Sequence, residues 1–176
     1  MEATELLIGD ETQFFLDNEI LEAVTNLKRT IHHPEKIEAN PVVQSDRPWE
    51  EVGYCLGLAR MRRDGYVPLG ANRVREGSLT TQPFLSPGSR LQINAACGPD
   101  GYIKVEATDV AYQTLPGCGR DDCDVFAGDS VAHEVTWRGS ASLPMPDASD
   151  MRGGLAYRRL LFILRDAELY SFRIIV

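Results

Sequence analysis

Long apolar runs are missing: no stretch approaches the roughly 18 residues that a membrane helix needs. The opening MEATELLIGDETQFF also lacks a basic segment followed by an apolar one, so it does not read as a secretion signal. The chain is expected to be soluble, with its compartment open; it would be secreted or periplasmic if a signal preceded this numbering. Cysteine is sparse, with only Cys55, Cys97, Cys118 and Cys123, too few for a secreted disulfide scaffold. Cys118 and Cys123 flank GRDD closely enough to bridge, but ligands spaced two by two for zinc are absent. The favoured reading is four structural or free thiols. No Gly-x-Ser-x-Gly turn, no HExxH and no phosphate-cradling glycine loop occurs. Basic residues are outnumbered, Lys+Arg 18 against Asp+Glu 26, for a net charge of −8. That field repels phosphate backbones and anionic lipid, which argues against nucleic acid and membrane partners.

What is present suffices for a core. With 176 residues, 43% of them hydrophobic, the chain can bury about two thirds of its unfolded surface without a metal or disulfide. Its texture changes near residue 53. In residues 1–53, Ile20, Leu21, Val24 and Leu27 recur at helical spacing behind a possible N-cap at Asp17 or Asn18, which predicts a short helix over 18–27. LKRTIHH then reads as a strand, and Pro34, Pro41 and Pro48 mark an extended segment. Residues 54–176 alternate in short stretches between Gly, Pro and Asp, as an antiparallel, jelly-roll-like β-sandwich would. Leu91, Ile93 and Ala95 oppose Arg90, Gln92 and Asn94, and Val131, His133, Val135 and Trp137 form a second alternating set. GPDG at 98–101 and RDAE at 165–168 look like turns between consecutive strands. The polar stretch from Ser140 to Gly154 reads as a surface loop.

Candidate chemistry is thin. Asp121, Asp122, Asp124 and Asp129, punctuated by Gly119 and Gly128, form the densest set of hard oxygen ligands and could hold calcium, although their spacing is not that of an EF-hand. Acidic loops more often serve solvation. His32 and His33 are adjacent on a strand and should face opposite ways. His133 sits between valines and reads as a packed histidine. Among the aromatics, Trp137 continues an inward-facing set, whereas Trp49 lies in a proline-bounded loop and should be exposed.

The stretch FFLDNEILEAVTNLKRTIHHPEKIEANPVVQSDRPWE resembles the opening of bacterial proteins related to the glycoside hydrolases with a five-bladed β-propeller. GLARMRRDGYVPL, GSLTTQPF, LQINAACGPDGYIKVEATD, GDSVAHEVTW and FILRDAELYSFRI resemble the β-sandwich at the C-terminus of the same proteins. The propeller that would follow Asp46 to Glu50 is missing, and with it the catalytic carboxylates. The resemblance therefore implies no catalytic residue. It implies an accessory β-sandwich similar to carbohydrate-binding modules, with a residual N-terminal strap. Sugar would be held by aromatic stacking and side-chain hydrogen bonds, with Trp49, Arg63, Asp64 and Tyr66 as the candidate residues. Strap strands that lost a propeller blade need another partner, so residues 12–33 should pair with this chain's own strands or with a neighbouring copy, giving a homo-oligomer. Two alternatives stand beside this reading. One is a compact glycoside hydrolase using a carboxylate pair such as Asp122 and Asp129; the other is a structural, oligomerising module that binds no sugar.

Overall fold

The computed structural model describes residues 6–40, 56–145 and 151–176. Among these the protein is all β, with no helix. Eleven strands join in one mixed sheet around two long members, β10 (Arg90–Thr108) and β13 (Leu155–Ile175). They pair antiparallel from Arg90↔Ile175 to Thr108↔Arg159. LLFIL at 160–164 is apolar without alternation because β13 is central and largely covered on both faces: Leu160, Phe162, Ile163 and Leu164 are all buried. β10 alternates, burying Leu91, Ile93, Ile103 and Val105.

GPDG and RDAE are not hairpin turns. They face each other across the β10–β13 pair, where the register slips between Cys97↔Ala167 and Tyr102↔Arg165. A bulge uses the same residues a turn does, because both need an irregular backbone. Asp166 takes a positive φ of 44°. A Cβ on Gly101 would lie 2.1 Å from the Asp166 carbonyl oxygen, so this crossing needs a glycine.

β13 also pairs with β7 (Leu69–Ala71), β8 (Gly77–Thr81), β9 (Phe84–Ser86) and β12 (Met151–Arg152), and β10 carries β11 (Asp129–Glu134) on its other side. Pairing is thus mostly between strands distant in sequence, contrary to the sequential hairpins expected. The strands of the first region enter the same sheet. β1 (Leu6–Leu7) runs parallel to β9, β2 (Gln13–Phe14) pairs with β13, β3 (Leu21–Thr25) with β8 and β4 (Lys28–Arg29) with β7. β5 (Glu35–Lys36) and β6 (Ala59–Arg60) form a separate small pair. Residues 12–33 therefore find partners within this chain.

The helix expected over 18–27 does not form. Asp17 caps no helix: its Oδ1 accepts the Glu19 amide at 2.9 Å within a turn in which Leu21 N–H reaches the Asn18 carbonyl at 3.0 Å. The chain then extends into β3. Ile20 and Leu21 are buried, yet Val24 is 43% exposed, so the helical spacing marks no helical face. Ladder bonds to β8 and the β-branched Val24 and Thr25 favour the strand, which ends at Asn26 with φ 54°.

The core is continuous across both regions. Phe172 is ringed by Phe15, Phe84 and Phe162 at centroid distances of 6.2, 6.2 and 5.4 Å. All four rings are buried, and removing one such ring costs about 3–5 kcal/mol. Phe15 comes from the strap, so the strap is part of the core.

Candidate functional site

The site grows from one turn, Arg62–Arg63–Asp64–Gly65. Asp-Gly is a turn signal because Asp tolerates a left-handed backbone and Gly permits close approach. Asp64 has φ 56°, Gly65 N–H donates to the Arg62 carbonyl at 3.0 Å, and a Cβ on Gly65 would meet Arg62 at 2.6 Å.

Arg62 fastens this turn to the sheet. Its Nε donates to Asn94 Oδ1 at 2.7 Å, its Nη2 donates to the carbonyls of Ala95 and Ser130 at 3.1 and 2.8 Å, and its Nη1 pairs with Asp129. The guanidinium also lies 4.6 Å over the Tyr170 ring. Asn94 is only 3% exposed and returns a bond, Nδ2 to the Arg63 carbonyl at 2.7 Å. The β10–β13 register is irregular at Asn94/Ala95, the point where the turn is attached.

Arg63 and Asp64 consequently sit on the lip of a small cleft of about 40 Å³. Its floor is polar. Gln92 pairs with Arg173 and Asn94 with Ser171 in the β10–β13 ladder, so all four project on one face. Arg173 donates from Nε and Nη2 to Gln92 Oε1 at 2.9 and 2.6 Å. Arg63 stays solvated, with its side chain 75% exposed and Asp64 3.7 Å away. Tyr66 is 50% exposed and rests edge-on against Phe14 at 6.1 Å. Phe14 pairs with Ser171, which places Tyr66 beside the cleft.

On the other side of the turn lies a wider cleft of about 560 Å³, lined by His32, His33, Glu35, Arg60 and Arg62. His32 N–H donates to the Tyr66 carbonyl at 2.9 Å, and its Nε2 lies 3.5 Å from Glu168 Oε1. Tyr170 donates to Glu168 Oε2 at 2.7 Å; burial, reinforced by that carboxylate, pushes its phenol well above the usual range.

Three of the four residues expected to bind sugar, Arg63, Asp64 and Tyr66, are thus brought together. Trp49 lies outside the described residues. Trp137 is buried, as expected, with Nε1 donating to the Val105 carbonyl at 2.9 Å. Gln92, Asn94, Ser171 and Arg173 were missed as site residues, although the alternation of LQINA already put Gln92 and Asn94 on the outward face. What local pattern lacks is the register that sets Ser171 and Arg173 opposite them.

The acidic loop does not gather its carboxylates. Asp122 pairs with Arg138, Asp124 accepts from Thr136 Oγ1 at 2.6 Å and from the Gly139 amide at 2.7 Å, and Asp129 goes to Arg62. Asp121 is exposed. Among the described residues no group of three or more His, Cys, Asp or Glu is placed to hold a metal ion. Those hydrogen bonds hold the Asp124 carboxyl below its ordinary value, the Thr136 hydroxyl contributing most. Cys97, Cys118 and Cys123 are free thiols, and Cys55 lies outside the described residues. His133 stacks on Phe126 at 4.3 Å, and burial lowers its pKa.

Compared with family models, curated proteins and solved structures, the chain matches none of them.

Proposed function

We propose that the protein is a non-catalytic, carbohydrate-binding-like β-sandwich module, of the kind appended to propeller-type glycoside hydrolases. The observation that carries this reading is that Arg63 and Asp64 line a polar cleft while the half-exposed Tyr66 stands on the same turn segment two residues on. Sugars are bound by such a combination: a flat apolar face for the ring and directional polar groups for its hydroxyls. Asp122 and Asp129, the carboxylate pair of the hydrolase alternative, are each engaged by a different arginine, Arg138 and Arg62.

A glycan array probed with the purified chain, with and without chelator, tests the reading. Binding that survives the chelator and is lost in Tyr66→Ala is the expected result. A blank array sinks it. A second reading, assembly between copies through the strap, draws on the exposed Leu7 and Leu16. Sedimentation at rising concentration decides it, since a monomer throughout discards that reading.

A further inference from the structure

The cleft beside the Arg62–Gly65 turn has more hydrogen-bond donors than acceptors left over. Among the described residues, Gln92 Nε2 and Arg173 Nη1 make no hydrogen bond, because the contact between these residues uses only Gln92 Oε1 with Arg173 Nε and Nη2. The hydroxyls of Ser171 and Thr12, which also line the cleft, make none either. Among the described residues the Arg63 guanidinium has only Asp64 near it, at 3.7 Å. Guanidinium and amide nitrogens can only donate, and hydroxyls can donate, so beside one carboxylate stand five groups able to donate a hydrogen bond to a ligand. The charge balance points the same way. Two guanidiniums against one carboxylate make this a locally positive spot on a chain of net charge −8.

Size narrows the ligand further. About 40 Å³ holds roughly three or four waters, which is too little for a pyranose ring and enough for one small substituent. A group that is compact, rich in acceptors, free of donors and negative is an oxyanion, and arginine's fork is well suited to bind one.

We infer that this cleft seats an oxyanion substituent of a saccharide, a uronate carboxylate or a sulfate ester, while the sugar ring lies outside against Tyr66. The inference rests on the carbohydrate-binding reading and adds the class of sugar. Specificity arises because a neutral substituent leaves the spare donors of Arg63, Arg173 and Gln92 unmatched once water is displaced.

The test is titration calorimetry of the full chain with two pairs of ligands, one member of each carrying the oxyanion and the other lacking its charge. One pair is a tetragalacturonate and its full methyl ester; the other is a sulfated galactan tetrasaccharide and its desulfated form. The acidic member of at least one pair should bind about tenfold tighter or more than its neutral partner, with the margin shrinking at high salt. Which pair shows the margin identifies the oxyanion. Arg63→Gln and Gln92→Glu should each abolish most of that margin. Arg63 is exposed, and a glutamate at 92 keeps the acceptor for Arg173, so both variants fold, as circular dichroism will verify. Equal binding of acidic and neutral members overturns the oxyanion inference and leaves the module reading intact. A margin that both variants retain overturns the placement in this cleft. No binding by any of the four overturns the oxyanion inference, while the module reading then stands or falls with the glycan array.

Discussion

Arg62 and Asn94 hold each other reciprocally: the guanidinium Nε donates to the Asn94 side-chain oxygen at 2.7 Å, and the Asn94 amide donates back to the backbone carbonyl of the next residue, Arg63, at 2.7 Å. One side-chain pair thereby fixes both the position and the direction of the turn that presents Arg63 and Asp64. Asn94→Ala would strand a half-buried guanidinium donor and a carbonyl, so a loss of about 2–3 kcal/mol is expected, read from the denaturant midpoint. A midpoint equal to that of the unmodified chain would mean that the clasp does not hold the turn.

Tyr66 should separate binding from stability. Half of it is exposed and its ring meets Phe14 edge-on, so Tyr66→Ala should change unfolding free energy by about 1 kcal/mol or less while removing sugar binding. Unaltered affinity on the array-selected glycan would take Tyr66 out of the site.

Arg158 is the most anomalous side chain in the core. It is 0% exposed, its Nε and Nη1 have no hydrogen-bond partner, and its remaining bond is a long one, Nη2 to the Gly88 carbonyl at 3.4 Å. Burial pulls the guanidinium down to about 10. An unpaired buried cation costs more than an apolar group of similar length, so Arg158→Met should stabilise the protein by about 1–3 kcal/mol. The test is the melting temperature: a fall instead of a rise would show that the guanidinium is compensated.

Stability should decline at both ends of the pH scale for different reasons. The Tyr102 hydroxyl and, next, Arg120 hold the Glu76 carboxyl below 4.5. A depressed carboxyl stabilises the fold above its unfolded pKa, and that contribution disappears as pH falls through the folded value, so Glu76→Gln should flatten the acid limb. Burial raises the Cys118 thiol from 9.0 to about 11. Between those values the folded state binds the proton more tightly than the unfolded one, so stability falls as pH rises from about 9 to about 11. Cys118→Ala should reduce the alkaline slope, and chemical unfolding across the pH range measures both limbs.

Local alternation was enough to find strands such as the two halves of Arg90–Thr108, where one face is buried and the pattern has a period of two. It failed where the same residue types serve two geometries. Asp17 begins a turn as readily as a helix, and Ile20, Leu21, Val24 and Leu27 fall at helical spacing although the ladder to Gly77–Thr81 decides the conformation. GPDG and RDAE punctuate a bulge as they would a hairpin, and only the long-range register of Arg90–Thr108 against Leu155–Ile175 distinguishes these. The site divides the same way. Arg63, Asp64 and Tyr66 are close in sequence and were found together, whereas Arg173 joins them through a strand pairing 81 residues away, from Gln92.

The dominance of Leu155–Ile175 has a consequence for biosynthesis. β2, β7, β8, β9 and β10 all pair with this strand, and every one of them precedes it in the chain. During translation they leave the ribosome with their ladder partner not yet made, holding Leu79, Phe84 and Ile103 in water. Such high contact order makes folding slow, because the early strands cannot close their ladders before Leu155–Ile175 has been made.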